Sequence, residues 1–550
     1  MNALVPLPVL LPLCATGLSL AFGTRLGRFQ RFISVAVLSA VTALSVILMI
    51  AADRHGPLSV HLGDFAPPLG ITLVADRLSG LMLTVSSAVT LCVLVYSLGQ
   101  GMTDRDKETP LAVFHPAYLI LVAGVSCTFL AGDLVNLYVG FEIMLVASFV
   151  LLTLGGTGPR MRAGSTYVII SLFSSMLFLT AIAMTYAATG TANFAQLAGR
   201  LADLPIGVQT LIQALLLTVF AIKAAVFPLA AWLPDSYPTA PAPVTAVFAG
   251  LLTKVGVYCM LRTETLLFPG NRLGDLLMAI ALASMVIGIL GAVAQTDLKR
   301  LLSFTLISHI GYMVFGIGLA TREAYGGAIV YVAHHITVQT TLFLVAGLIE
   351  RRGGTTELTR LGGLARAAPM LAVLFFVPAM NLAGIPPLSG FIGKLGLMRA
   401  GVADGGGWAW LLVAGSAATS LLTLYVVAKV WNLAFWRAAP PGQAAAGTVL
   451  ESGDDSDDDA DAGPDRIRGT GDEGITPAHR PAGQAAGATL HGRAVITTSR
   501  LPRPMVAATA ATIGIGLAFT VFADPLTAFT DRTAAELLQR TPYVQEVLGR

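Results

Sequence analysis

The stretch "AIKAAVFPLAAWLPD", residues 221–235, places Lys223 inside an apolar run five residues before Pro228. Other apolar windows carry ionisable groups in the same way. Glu142 lies in "GDLVNLYVGFEIMLVASFVLL", with Tyr138 four residues earlier on the same helical face. Lys254 lies in "VFAGLLTKVGVYCML", with Tyr258 as its i+4 neighbour, and Lys394 follows the proline break in "GIPPLSGFIGKLGL". The window "IVYVAHHITVQTTLFLVAG" supplies His334, His335 and, four residues after His335, Gln339. A charge at the centre of a bilayer costs about 2.5–3.5 kcal/mol on insertion scales, so such groups mark ion or proton routes. Burial and pairing act oppositely on proton affinity. A lysine able to swing between a carboxylate and an apolar site therefore changes its hold on a proton. Proline beside it frees backbone carbonyls, which are tolerated at membrane depth only where they line an enclosed, hydrated space.

A structural ion pair could account for two of Glu142, Lys223, Lys254 and Lys394, and would leave the others unexplained. Lys299 and Arg300, at the edge of "QTDLKRLLSFTLISHIGY", fit a snorkelling anchor as well as a relay role. For His309 in that same string, and for His334 or His335 taken singly, a packing role fits equally. Hydroxyls at Ser171, Ser174 and Ser175, and at Thr305, Ser308 and Tyr312, can hold ordered water beside these groups.

The elements that must position them are membrane helices. The chain has 550 residues, 55% hydrophobic and only 12% charged, the composition of a polytopic membrane protein. Apolar windows fall near 3–22, 32–51, 78–99, 113–131, 134–154, 166–187, 208–231, 241–261, 274–295, 302–320, 326–349, 368–398, 408–436 and 504–523. They predict an all-α protein of about fourteen transmembrane helices. The first window has no preceding basic residue and no small-x-small cleavage pattern, so it is expected to be retained. Prolines interrupt two windows, Pro228 in "VFPLAAWLP" and Pro386–Pro387 in "AGIPPLSGF", each beside a lysine, as two broken helices in corresponding halves would be.

Alternate loops are basic: Arg25, Arg28 and Arg31; Arg105 and Lys107; Arg160 and Arg162; Lys299 and Arg300; Arg351, Arg352, Arg360 and Arg366. The other set holds only Arg54, Arg200, Arg272, Arg322 and Arg399. Basic loops favour the cytoplasm, so both termini are expected outside. The segment 438–503 contains "ESGDDSDDDADAGPDRIRGTGDEG", too acidic and too poor in large apolar residues to fold, and reads as a cytoplasmic insertion. Cys14, Cys92, Cys127 and Cys259 have no paired spacing, which gives no metal site, redox pair or disulfide framework, and no cofactor is expected. A net charge of +3, dispersed over short loops, argues against a nucleic-acid partner. Usage rich in alanine, glycine and arginine suggests a bacterial plasma (inner) membrane.

The strings "FEIMLVASFVLL", "AIKAAVFPLAAWLPDSYPTAPAPVTAVFAGLLTKVGVY", "QTDLKRLLSFTLISHIGY" and "MNLAGIPPLSGFIGKLGL" resemble the antiporter-like membrane subunits of respiratory complex I and its relatives. The resemblance is strong over roughly residues 110–437. Within that superfamily, "LPDSYPTAPAPVTAVFAGLLTKVG" and "GDLVNLYVGFEIM" look most like the D-subunit family of Mrp-type multisubunit cation/proton antiporters. Tyr237 stands where complex I relatives usually carry histidine. The resemblance implies two inverted five-helix repeats, each with a proline-broken helix, around a hydrated row of charges at the membrane midplane. It divides the chain into an N-terminal three-helix segment (1–110), a first repeat (111–265), a second repeat (266–437), the insertion (438–503), a last transmembrane helix (504–526) and a tail (527–550).

Carried over residue by residue, the resemblance makes Glu142 the fifth-helix glutamate, Lys223 its lysine partner and Lys254 the central lysine. It makes Lys299 a flanking basic residue, His335 the histidine preceding the eleventh-helix lysine, and Lys394 the terminal residue of the row. One position departs from the pattern: Gln339 stands where the family commonly has that lysine, and glutamine cannot carry a proton as a charge. The implied function is proton translocation within a multisubunit Na+/H+ antiporter, beside a longer homologous subunit and several small hydrophobic ones. A proton-pumping subunit of complex I or of a membrane-bound hydrogenase is the alternative, and a non-conducting scaffold, motivated by Gln339, is a second. No nucleotide loop or nucleophile constellation marks the chain as an enzyme in its own right.

Overall fold

The computed structural model describes residues 1–22, 29–100, 111–438 and 501–549. Most of the acidic insertion, residues 439–500, therefore lies outside the described residues, as do the basic-loop residues Arg25, Arg28, Arg105 and Lys107. The helices are α1 (Leu7–Phe22), α2 (Phe29–His55), α3 (Arg77–Gln100), α4 (Leu111–Leu130), α5 (Leu134–Thr153), α6 (Gly158–Thr189), α7 (Ile206–Ala224) and α8 (Ala242–Leu267). Then follow α9 (Gly274–Ala294), α10 (Leu298–Leu319), α11 (Arg322–Gly353), α12 (Pro369–Ala383), α13 (Ser389–Asp404), α14 (Gly407–Trp436), α15 (Arg503–Val521), α16 (Ala523–Gln539) and α17 (Thr541–Leu548). Among the described residues, 13 helices are long and apolar enough to cross a membrane, while α12 and α13 are each shorter and follow one another across a break.

The starts of the inner helices are set by local side chains. Asp133 caps α5 by accepting from Asn136 N at 2.7 Å, Asp297 caps α10 through Arg300 N at 2.9 Å, and Thr321 caps α11 through Ala324 N at 3.2 Å. Packing then sorts the helices by polarity. The apolar windows of α8 and α11 are wholly buried, whereas those of α2, α6 and α15 are only 28% buried. α11 is the hub, touching α3, α8, α10, α12, α13, α15 and α16. The buried helices are the ones that carry Lys254, His309, His334 and His335. The outer ones turn Ile169, Phe173 and Met176 outward.

Four features differ from the sequence expectation. The seventh window ends as a helix at Ala224, because Ala225 turns into the left-handed region (φ 57°) and residues 226–232 form turns. α8 runs past the expected end at 261 to Leu267, through π-helical turns at Phe248–Leu252 and Thr263–Leu267. A β-hairpin, β1 (Leu58–His61) paired antiparallel with β2 (Thr72–Ala75), interrupts the N-terminal segment, and the tail forms α16 and α17.

Candidate functional site

Lys223 occupies the last turn of α7, where exposed carbonyls favour a cation. The break that follows is held by Trp232, whose Nε1 donates to Ile222 O at 3.2 Å, and by Phe227 N, which donates to Ser284 Oγ at 3.0 Å. The Lys223 ammonium lies 5.5 Å from the centroid of the Phe141 ring, one residue before Glu142. Glu142 is half-buried and accepts from Ser175 of α6. No ion pair joins Glu142 to Lys223 among the described residues; Lys223 instead lines a small cavity with Phe141, Ser171, Ser174 and Ser175, the last of which donates to Glu142. Its volume of about 10 Å³ approaches the space one water needs. Tyr138 packs edge-on against Phe178 at 5.8 Å.

Lys254 is fully buried and follows the first π-helical turn of α8. That turn disturbs the ladder, and Lys254 Nζ donates to the carbonyl of Ala249 at 2.6 Å. Close packing against α11 requires Gly250, where a Cβ would meet Thr340 Oγ1 at 2.1 Å. Gln339 on α11 donates to Leu302 O at 2.8 Å and leaves its own carbonyl oxygen, like Thr253 Oγ1, buried without a partner among the described residues.

Beyond it the histidines form one cluster. The His335 and His309 rings are 5.2 Å apart, His309 Nδ1 is 2.5 Å from Tyr331 Oη, and the Tyr331 and His334 rings are 5.5 Å apart. His334 Nδ1 is 3.0 Å from Ser389 Oγ, at the start of α13. Both ring nitrogens of His335, and Nε2 of His309 and of His334, are buried without a partner among the described residues. Buried polar groups are rarely left so. Lys394 ends the row. It reaches back across the break to donate to Leu382 O and Ala383 O, at 3.2 and 3.1 Å, and its ammonium lies 5.0 Å from the centroid of the Tyr312 ring. Pro386 and Pro387 lie within that break, as Pro228 lies in the other. Both lysines thus sit beside the C-terminal end of a helix that stops short, Lys223 within its last turn and Lys394 reaching to it from the next helix.

Several expected members stand elsewhere. Lys299, in the first turn of α10, pairs with Glu350 at 2.6 Å, the geometry of an anchor at the end of the bundle. Tyr258 donates to Phe129 O at 2.7 Å and Ser308 to Met285 O at 2.8 Å, so neither hydroxyl donates into the row. No direct hydrogen bond among the described residues links Lys223 to Lys254, or Lys254 to His335. Sequence reasoning also misses buried charges at the far end of α8: Arg262, paired with Asp76 at 2.6 Å, and Glu264, whose two oxygens accept from Gln213 Nε2 at 3.0 and 2.9 Å. The signal is present in "LRTETLLF", where two charges stand in a run still apolar enough to continue the helix.

Residues 131–423 match the family model described as NADH:quinone oxidoreductase/Mrp antiporter, TM. The D subunit of the Na(+)/H(+) antiporter of Alkalihalophilus pseudofirmus is 42% identical over 440 residues, 79% of this chain and 87% of that protein. A chain in the structure of the Mrp complex from Dietzia sp. DQ12-45-1b superposes with a TM-score of 0.83 at 32% identity, covering 100% of both chains. A chain of respiratory complex I from Thermus thermophilus gives 0.70 at 23% identity, covering 97% of this chain and 99% of that one, a likeness of fold alone.

Proposed function

The chain belongs to the NADH:quinone oxidoreductase/Mrp antiporter membrane family, and from that premise we propose that it is a proton-conducting D-type subunit of a multisubunit Na+/H+ antiporter. It is a transporter subunit rather than an enzyme. The observation that carries the proton-conducting reading is the row of buried groups from Lys223 through Lys254 and the histidine cluster to Lys394, studded with polar atoms that have no partner among the described residues.

In this reading protons move along Lys394, His334, His309, His335 and Lys254, and the charge they carry acts on Lys223 and Glu142. Gln339 serves as a hydrogen-bonding station for water rather than as a carrier of charge. Lys299 is left as an anchor. Because Glu142 accepts from Ser175 and forms no ion pair among the described residues, a change of field can move it without breaking one. Its surroundings on α5 and α6 present Val139, Val146, Leu172, Phe173 and Met176 outward. That apolar face suits a neighbouring hydrophobic subunit, to which Glu142 would pass the signal. The exchange is of cytoplasmic Na+ for external protons, with both termini outside, two five-helix repeats around the row, and a bacterial plasma membrane as the setting.

Glu142→Gln keeps the shape and the serine contact but removes the charge. Na+-dependent collapse of a pH gradient in everted vesicles should be abolished with the complex still assembled. Near-normal exchange would overturn the reading. Mass spectrometry of the complex purified in mild detergent separates the redox alternative, since small hydrophobic subunits and one long homologue are expected rather than iron-sulfur and quinone-site partners.

A smaller effect is expected at the second break. Gly384 has φ +83°, and a Cβ there would meet Lys394 Cδ at 3.0 Å. Left-handed backbone costs an L-residue about 1–2 kcal/mol, and the lysine would also be pushed from its carbonyls. Gly384→Ala should slow exchange several-fold in the same vesicles.

A further inference from the structure

The proposed row leaves unused the charges at the far end of α8. Arg262, 4% exposed, pairs with Asp76 and donates to the Tyr258 hydroxyl at 3.2 Å. Its guanidinium lies 5.4 Å from the Tyr258 ring centroid and 5.3 Å from that of Tyr543 on α17. Asp76, beside β2, is 2% exposed and accepts from Ser79 N at 2.9 Å. The next residue, Arg77, pairs with Glu536 of α16 and, at 2.8 Å, with Asp53 of α2. Asp53 also takes the half-exposed Arg532 at 2.8 Å. Charges of alternating sign therefore run from a buried guanidinium to the surface. The face of α8 that bears Arg262 also bears Tyr258 and Lys254, at i−4 and i−8.

Glu536 is the buried carboxyl at the mouth of this cluster, and it comes from a helix that follows the last membrane-length span. We propose that the cluster is the proton port between Lys254 and the face of the bundle covered by α16, with Glu536 the group that takes up and releases the proton there. This rests on reading Lys254 as a relay group. When a hydronium ion hands a proton to a Glu536 oxygen and is left as water, one negative charge is lost, Arg77 keeps Asp53 as its partner, and Arg262 keeps Asp76. When the O–H bond breaks again the proton returns to water on either side of the cluster, and no other reactant is needed.

Burial, then repulsion from Asp76, raises the Glu536 carboxyl to about 7 against the opposing pull of Arg77 and Arg262. It is thus protonated below neutrality and ionised above. The groups around it are Asp76 and Arg77 at the head of α3, Arg262 on α8 and, through Arg77, Asp53 on α2. α11 and the Thr263–Leu267 turn, which also pack on α16, bring Tyr325 and the Gln213-bound Glu264.

The test uses the whole complex in proteoliposomes, with orientation sorted by access to a carboxy-terminal tag. The pH on the α16 face is varied from about 6 to about 8 while the other face is held. The wild-type rate should show an inflection near pH 7. Glu536→Gln should flatten it and Glu536→Asp should restore it. An assembled Glu536→Gln complex with the wild-type profile would overturn the port, as would a wild-type profile without an inflection, which decides the matter even if the variant does not assemble. Loss of exchange in Glu142→Gln beside an unchanged Glu536→Gln profile removes the port and leaves the relay. Retained exchange in Glu142→Gln removes the relay itself.

Discussion

Lys254→Met should reduce Na+/H+ exchange by at least about 100-fold, the scale at which losing a proton-transfer group is felt, while the complex assembles as well as the wild type or better. The two halves of this result have one cause. Lys254 is fully buried, its Nζ donates to a single backbone carbonyl, and no carboxylate lies within ion-pair distance among the described residues. A cation so placed destabilises the fold, and methionine fills much the same volume without the charge. Lys254→Arg separates charge from titration, because arginine keeps the charge and does not release its proton. It too should lose exchange, although its larger head must be fitted beside the α8–α11 contact. The measurement is the sodium-dependent collapse of a pH gradient, scaled to the amount of complex on a native gel. A Lys254→Arg complex that exchanges at the wild-type rate would make Lys254 a fixed charge and not a relay.

Much of this arrangement is legible in the chain. Lys223, Lys254 and Lys394 stand in apolar runs where a soluble or lipid-facing helix would not keep them, and the prolines near Lys223 and Lys394 announce breaks that the structure contains. What periodicity cannot give is the direction a side chain takes. Lys394 points backward across its break to Leu382 O and Ala383 O, Tyr258 turns to Phe129 O, and Glu142 rests on Ser175 rather than on Lys223. These choices depend on carbonyls freed by a helix end or on packing between distant helices, and hydropathy is blind to both. The π-helical turns of α8 escape it for the same reason, since they change the phase of a helix without changing its composition. The β-hairpin is too short to outweigh the long apolar windows on either side. Arg262 and Glu264 escape because the window is closed at 261, one residue before Arg262 and three before Glu264, whereas α8 runs on to Leu267.

Asp76→Asn should destabilise the chain by about 3–5 kcal/mol, the usual cost of removing one partner from a buried ion pair. Burial alone would raise the Asp76 carboxyl, but the Arg262 guanidinium outweighs it and holds the carboxyl below the usual range. A carboxyl lowered on folding contributes stability above its unfolded value near 3.9 and loses it as pH falls through the folded one, so at neutral pH the contribution is complete. Asparagine keeps the shape and can still accept from Ser79 N, yet it leaves Arg262 charged, 4% exposed and sandwiched between Tyr258 and Tyr543. The loss should appear as a lower yield of assembled complex and a lower unfolding temperature in detergent. Adding Arg262→Met to Asp76→Asn removes the stranded charge, so the double variant should recover part of the stability that the single one loses. Recovery without exchange would separate the two roles of this end of α8, as the lock between the hairpin and the bundle and as the way through for protons. A single variant as stable as the wild type would mean that Arg262 had found another partner, with Glu536, 8% exposed and already within reach of its field, as the carboxylate to examine.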